Sequence, residues 1–341
     1  MKYVSSGSPQ IRDNTSTKRI MIDVCIALLP ATIVGCVLLG LTNAQYGIQS
    51  AILMVISVLS AVAAEFVFKL VTKVSFKQIL DEFDFTSVVT GMLIGMNLYQ
   101  NSKWYAAVLS SVFAIVVVKM LFGGTGKNIV NPAIAGRIFG YISFGAGFGG
   151  TMGLDKVHLS PISYGSVAAG ATPLQAVLGD VKCTLNNLDL FIGTGVPGCI
   201  GEISKVALLV GGIYLVCRGV LNFRWPLVYI ALTGVTTVVI ELIGGAGFTA
   251  ALGKFLPSIL SGGLFLGAIF MATDYVTAPV TKLGKYVYFA LLGIITAILR
   301  DAVGAEVVSF VILLGNLIVP LIDNYFVRRP FGYHKPAKEV K

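Results

Sequence analysis

Apolar runs of membrane-spanning length follow one another along most of this chain. They cover residues 20–41, 48–70, 86–98, 104–122, 131–148, 203–217, 225–243, 257–272, 286–299 and 304–327. An α-helix needs ~20 apolar residues to cross the hydrocarbon core of a bilayer, so the third, eighth and ninth runs are short. Because lipid offers no hydrogen bonds to the backbone, apolar runs of this kind form helices. The sequence therefore predicts an all-α polytopic membrane protein with about ten transmembrane helices.

The overall composition excludes the common soluble classes. Hydrophobic residues make up 56% of the chain and charged residues 12%, whereas soluble domains average about 45–50% and about 25%. The net charge of +9 does not indicate a nucleic-acid partner, because the basic residues lie between apolar runs and at both termini instead of forming one patch. The predicted surroundings are the lipid bilayer.

The basic residues also predict the orientation of the chain in the membrane. With the N-terminus inside, only six of the 25 Lys and Arg residues fall on the outer side, namely Lys103, Lys156, Lys182, Lys205, Lys254 and Arg300. Cytoplasmic loops carry the excess of Lys and Arg in polytopic proteins. We therefore expect a multi-pass protein of the cell membrane with both termini in the cytoplasm and the long polar segment 149–202 outside it.

The order of the runs predicts two halves of five spans each. The expected segments are a cytoplasmic N-terminal segment (1–19), a first repeat (20–148), an extracytoplasmic loop (149–202), a second repeat (203–327) and a cytoplasmic tail (328–341). Residues 90–96 and 262–268 share a Gly-rich pattern in the third span of each half. An odd number of spans inserts the second half upside down, which gives an inverted repeat with short or broken helices. Chance similarity between Gly-rich helices is the alternative.

A Gly-rich cytoplasmic segment, 123–128 (GGTGKN), precedes the fifth span. It is not a phosphate-binding P-loop, because it lacks the first glycine of that motif and has Asn128 where Ser or Thr would contact magnesium. Two interpretations remain for the residues after it. Asn128 and Asn131 could bind an anionic or heteroaromatic ligand at a helix N-terminus, or Asn131 could cap a helix that begins at Pro132.

A second polar loop, residues 271–279, follows the eighth span and contains Asp274. The predicted topology places it on the same face of the membrane as Asn128 and Asn131. We therefore expect the two loops to meet. Their amide and carboxylate groups could bind a ligand that has both hydrogen-bond donors and acceptors.

Ionisable residues inside or near the spans are candidates for function, because a charge in lipid costs at least a few kcal/mol. They are Asp23, Glu65, Arg137 and Glu241. Glu65 lies four residues before Lys69, and both a helical ion pair and a role in an ion path remain open for it.

Metal-dependent and hydrolytic chemistry have no support in the sequence. His158 and His334 are the only histidines, and there is neither an HExxH motif nor a heme-binding signature. The five cysteines contain no CxxC pair, so no zinc site is indicated. A disulfide between Cys183 and Cys199 remains open.

The outer segment contains Gly170-Ala171-Thr172-Pro173-Leu174. The Thr172 hydroxyl, placed between small neighbours, can be esterified by a phosphate group. Taken alone, such a segment is more often a turn or a helix start, so its interpretation depends on the rest of the chain.

Four motifs together resemble one family, and the resemblance extends over nearly the whole chain. They lie at residues 8–12 (SPQIR), 123–133 (GGTGKNIVNPA), 170–174 (GATPL) and 270–274 (FMATD). These motifs are similar to those of the RnfD subunits of Rnf complexes and of their relatives, the NqrB subunits of the sodium-pumping NADH:quinone oxidoreductase. The short N-terminal segment favours the Rnf type.

The resemblance implies a fold, a covalent cofactor and a second flavin site. The fold is a ten-span inverted repeat like that of urea and ammonium channels. FMN is attached through a phosphoester to Thr172, with Gly170 and Ala171 beside it. Three polar residues match positions near a bound riboflavin in the quinone-reducing relative: Asn128, Asn131 and Asp274.

The function implied is that of a flavin-carrying membrane subunit of an ion-translocating ferredoxin:NAD oxidoreductase. Such a subunit passes electrons through its FMN to or from a second flavoprotein subunit at the outer face, and electron flow is coupled to Na⁺ or H⁺ translocation. It has no catalytic residue of its own and acts together with other membrane and peripheral subunits. The alternative, which suits the same fold, is a small-solute channel or transporter without a redox role.

Overall fold

The computed structural model describes residues 16–144, 187–193, 198–303 and 307–327. All regular structure in these ranges is helical, and no strand occurs in them. The predicted class, an all-α polytopic membrane protein, is confirmed at this level.

The helices of the described ranges are numbered here in chain order. They are α1 (Thr17–Thr42), α2 (Ala44–Val71), α3 (Phe76–Asp81), α4 (Thr86–Met96), α5 (Trp104–Phe113), α6 (Pro132–Phe144), α7 (Asn187–Ile192), α8 (Lys205–Cys217), α9 (Arg224–Ile243), α10 (Phe248–Gly253), α11 (Phe255–Leu260), α12 (Leu264–Leu266), α13 (Lys282–Val303) and α14 (Val308–Tyr325). A π-helical segment continues α5 (Ala114–Met120), and another continues α12 (Gly267–Met271).

Helices of two lengths make up the described part of the bundle. Five of them, α1, α2, α9, α13 and α14, are long and apolar enough to cross a bilayer. A further candidate span is broken, because Phe248–Leu260 and Leu264–Met271 meet at an angle of 61°. Thr86–Met96, Trp104–Met120 and Lys205–Cys217 are apolar but shorter. The third and eighth apolar runs thus correspond to a short helix and a broken one, as the sequence predicts.

The expectation of a short ninth span is wrong. Helix α13 has 22 residues and extends beyond the apolar run at both ends. Near its C-terminal end, Arg300 is 2% exposed and donates hydrogen bonds to the main-chain oxygens of Ser258 (2.8 Å) and Ser261 (3.3 Å). These carbonyls lie at the bend that follows α11. Because the protein interior solvates this charge, the helix continues past the point where the apolar run stops.

The short helix α4 ends against a buried main-chain segment, residues 198–203. The N–H of Gly201 donates to the carbonyl of Met96 (2.7 Å), and the N–H of Ile200 donates to the carbonyl of Leu98 (3.0 Å). The last carbonyls of a helix have no partner within the helix, so this segment supplies the donors that α4 needs to end inside the bundle.

Helices α1 and α8 cross at a point of direct backbone contact. A Cβ atom added to Gly211 would lie 2.1 Å from the main-chain oxygen of Ala27, so only glycine allows this approach. Asp23 lies one turn before Ala27 on α1. Arg218 donates to both of its oxygens at 3.2 Å, and the Tyr214 hydroxyl donates to it at 3.1 Å. The crossing therefore joins a helix from each half of the chain by close packing and by an ion pair.

Replacement of Gly211 by alanine is expected to destabilise the protein, because the new Cβ forces α1 and α8 apart. Overpacking of this kind costs about 1–3 kcal/mol. Thermal unfolding of the detergent-purified variant should show a lower midpoint. Gly253→Ala is the matched control, since a Cβ there meets nothing within 4 Å. Equal midpoints for the two variants would contradict the close crossing.

Candidate functional site

A cavity of about 110 Å³ opens at one end of the helix bundle. Its walls come from both halves of the chain. The first half contributes α1, α4, the π-helical segment after α5 and the loop before α6, and the second half contributes α8 with the turn after it, the π-helical segment after α12 and the loop that follows. The walls are mainly apolar and include Leu93, Leu215, Ile269 and Phe270. Polar side chains lie among them, as expected of a pocket that orients a ligand.

The three residues predicted from the two polar loops all line this cavity: Asn128, Asn131 and Asp274. The two loops are joined directly, because the Asn131 amide donates to the main-chain oxygen of Met271 (3.1 Å). Met271 ends the π-helical segment, so the bond satisfies a carbonyl that has no helical partner.

Asn131 is also the cap of α6, which confirms the structural interpretation of this residue. Its Oδ1 accepts from the N–H of Ala133 (3.0 Å), and Pro132 is the first residue of the helix. The Asn128 amide donates to the main-chain oxygen of Val130 (3.0 Å) and thereby shapes the loop. An amide NH₂ has two donors, and these bonds occupy one on each side chain, so capping and ligand binding are compatible.

Asp274 has an environment that favours its protonated form more than water does. Burial raises the pKa of its carboxyl group above the usual range, although the Thr277 hydroxyl and the N–H groups of Val276 and Tyr275 donate to it and act in the opposite direction. The Thr277 bond measures 3.1 Å. A carboxyl group held this way accepts several hydrogen bonds at the edge of the cavity.

A second polar part of the wall was missed by the sequence analysis. Lys119, on the π-helical segment after α5, lines the cavity with a side chain that is 3% exposed. It forms an ion pair with Glu65 (2.9 Å) and donates to the Thr86 hydroxyl. Glu65 also pairs with Lys69 at 2.8 Å, which confirms the predicted helical ion pair. A lysine within an apolar run was the sequence signal for this cluster.

Asp84 holds two hydroxyl groups of this part of the wall. Its carboxylate accepts from the hydroxyls of Thr86 (2.5 Å) and Thr125 (2.6 Å). Burial alone would raise the pKa of Asp84, but the Lys119 charge and these hydrogen bonds outweigh burial and lower the pKa below its usual range. Asp84 therefore stays ionised.

The other candidates lie away from the cavity or outside the described residues. The Arg137 guanidinium donates to the Ser309 hydroxyl (2.7 Å), and Glu241 pairs with Lys254 (2.8 Å). Among the described residues, no group of three His, Cys, Asp or Glu side chains could hold a metal ion. Gly170, Ala171 and Thr172, in the segment predicted to lie outside the cytoplasm, fall outside the described residues, as does Cys183.

These features define a polytopic membrane protein in which short and broken helices enclose a partly polar cavity at one end of the bundle. The chain belongs to the NQR2, RnfD, RnfE family, whose model matches residues 4–332.

Relatives over the full length of the chain carry consistent names, and in each complex the matching subunit is the one designated D. That of the Na⁺-translocating ferredoxin:NAD⁺ oxidoreductase complex of Acetobacterium woodii is 38% identical, with 98% of this chain and 97% of the relative covered. That of a proton-translocating ferredoxin:NAD⁺ oxidoreductase complex of Clostridium ljungdahlii is 32% identical, with 97% and 96% covered. That of an ion-translocating oxidoreductase complex of Cronobacter sakazakii is 29% identical, with 98% and 100% covered.

Proposed function

We propose that this chain is the RnfD-type subunit of an ion-translocating ferredoxin:NAD⁺ oxidoreductase complex in the cell membrane. The observation that carries the proposal is similarity over the whole chain to the matching subunits of such complexes. The helices long enough to cross a bilayer agree with a membrane subunit. The chain then acts with other membrane and peripheral subunits, one of them a second flavoprotein at the outer face.

The redox role of the subunit follows from FMN attached to Thr172. A phosphoester on a side-chain oxygen keeps the cofactor from being lost outside the cell, and the protein supplies its orientation and electrostatics. Resemblance of residues 170–174 to the flavin-attachment motif supports this assignment. The coupled ion is Na⁺ or H⁺, the two ions named for the relatives.

The fold of the subunit is a 5+5 inverted repeat. The third span is not a continuous full-length helix in either half, because it is the short helix α4 in the first half and the broken pair of α11 and α12 in the second. The second and fourth spans pack against each other in both halves, as α2 with α5 in the first and as α9 with α13 in the second. These parallels support two halves of the same topology, with interrupted helices near the centre as in many transport folds.

The cavity of this fold faces the cytoplasm and binds riboflavin. The end of the bundle that contains it also carries Lys69, Lys73 and Lys77, which the positive-inside rule assigns to the cytoplasm. Apolar walls suit a flat heteroaromatic ring. The spare amide donors and the Asp274 carboxylate suit the polar edge of the ring and a sugar-alcohol chain. When bound, the flavin supplies stepwise electron transfer.

Replacement of Thr172 by alanine is expected to abolish covalent flavin, because only the side-chain oxygen can form the phosphoester. Fluorescence of the chain in a denaturing gel should disappear in Thr172→Ala. Thr184→Ala, in the same outer segment, is the matched control and should keep the fluorescent band. A fluorescent band in Thr172→Ala would move the attachment to another hydroxyl.

The orientation can be checked with single cysteines in a chain whose native cysteines are replaced by alanine. A membrane-impermeant thiol reagent added to intact cells should label Lys103→Cys and Lys156→Cys but not Lys77→Cys or Lys335→Cys. The reverse pattern would contradict the charge-based topology and place the cavity outside.

Riboflavin extracted with acid from the purified chain tests the cavity ligand. Asp274→Asn should weaken binding by about tenfold, because the amide replaces one acceptor oxygen with a donor and an unpaired buried polar group costs about 1–3 kcal/mol. Asp323→Asn is the matched control, because Asp323 accepts from the N–H of Val280 (3.0 Å) and does not line the cavity. Equal riboflavin content in both variants, or none in the native chain, would contradict the assignment.

A further inference from the structure

A buried ion pair lies at the wall of the cavity, which its lysine, Lys119, lines. Lys119 and Glu65 are 3% and 2% exposed, so both ions have lost nearly all contact with water. A buried ion pair is usually no more stabilising than well-packed apolar side chains of the same size. Ionisable groups at membrane depth are therefore candidates for function.

The pair is part of a continuous chain of hydrogen bonds from the exterior to the cavity. Lys69 is 16% exposed and lies 2.8 Å from Oε1 of Glu65. Lys119 lies 2.9 Å from Oε2 of the same carboxylate and lines the cavity. The two oxygens of Glu65 thus connect an amine that water can reach with an amine in the cavity wall.

We propose that Lys69, Glu65 and Lys119 form a proton-transfer chain that delivers protons from the cytoplasmic side to a redox ligand in the cavity. The inference rests on the proposed flavin. A flavin that gains electrons also takes up protons at its ring nitrogens, so a cavity with apolar walls needs a route for them.

Each proton transfer balances along this chain. An electron reaches the ring from a redox partner in the complex. The N–H bond breaks at Nζ of Lys119, and a new N–H bond forms at a ring nitrogen. Lys69 then gives a proton to Oε1 of the Glu65 carboxylate, and rotation of the neutral carboxyl group turns this O–H towards the neutral Lys119 amine. Lys119 takes the proton, which leaves Glu65 ionised again, and water on the cytoplasmic side reprotonates Lys69.

The neighbouring groups keep the proton on this route. Thr86 accepts from Lys119 and donates to Asp84, which fixes the ammonium at the wall. The lowered pKa of Asp84 means that this carboxylate does not hold the proton. The remaining charged residue on a described element packed against the π-helical segment is Arg137 on α6, which donates to Ser309 of α14.

The test uses the full chain in detergent with Thr172→Ala as background, so that cavity flavin is the one flavin present. EDTA and a light flash supply electrons, and absorbance follows protonation of the reduced ring in H₂O and D₂O. Glu65→Gln keeps the shape of the side chain but cannot carry a proton. Lys119→Arg keeps the charge but does not release one. Glu241→Gln, from the more exposed pair with Lys254, is the matched control.

Both variants should retain the flavin and slow its protonation by about 100-fold or more, the lower end of what a positioned proton donor contributes. The ratio of the protonation rates in H₂O and D₂O should be smaller in these two variants than in the Thr172→Ala background. Glu241→Gln should have the same rates as the background. Unchanged protonation rates would contradict the proton-transfer route and leave the riboflavin assignment intact. Loss of flavin from both variants would also contradict the route, because it would mean that Glu65 and Lys119 serve to bind the flavin. Absence of extractable flavin in the background would overturn both the riboflavin assignment and the proton route.

Discussion

The need to satisfy main-chain carbonyls inside the bundle governs this structure. Every interrupted helix leaves carbonyls without partners, and lipid cannot supply a donor. Three different donors solve the problem here: a guanidinium (Arg300), a main-chain N–H (Gly201) and a side-chain amide (Asn131). Each donor belongs to an element distant in sequence from the carbonyl that it satisfies. Each helix end is therefore hydrogen-bonded to a distant part of the chain. These hydrogen bonds stabilise the ends of the short helices.

The cavity depends on the same constraint. It lies where the π-helical segment ending at Met271 stops, and the donor that satisfies this end is also the cap of α6. One side chain, Asn131, therefore sets the start of one helix and the position of the facing loop. The polar groups of the cavity are held in place by bonds to the main chain, so the shape of the cavity is fixed by the protein itself.

Much of this architecture was predictable from the sequence. Hydrophobic runs predicted the helical class, and the Asn-Pro pair predicted the cap at Asn131 and the start of α6 at Pro132, because capping is a local property of the chain. The meeting of the two polar loops also followed from the topology. The flavin attachment at Thr172 stays a prediction.

The features that escaped prediction are those that depend on distant partners. The length of α13 depends on carbonyls of Ser258 and Ser261 that solvate Arg300, and a hydropathy window does not contain this information. The cluster around Lys119 escaped for the same reason, since Glu65 is 54 residues away. The spacing of four residues predicted the pairing of Glu65 with Lys69, but no local pattern predicted its pairing with Lys119, which is more deeply buried.

The crossing of α1 and α8 has a mechanical consequence. Contact between the backbones at Gly211 and Ala27 leaves no compressible side chain between the helices, so a relative movement of α1 and α8 would turn about this point and would not slide past it. Met21 and Val24 of α1 and Leu215 of α8 line the cavity beside the crossing. A change in the tilt of these helices would therefore alter the width of the cavity, and the ion pair of Asp23 with Arg218 would oppose that change.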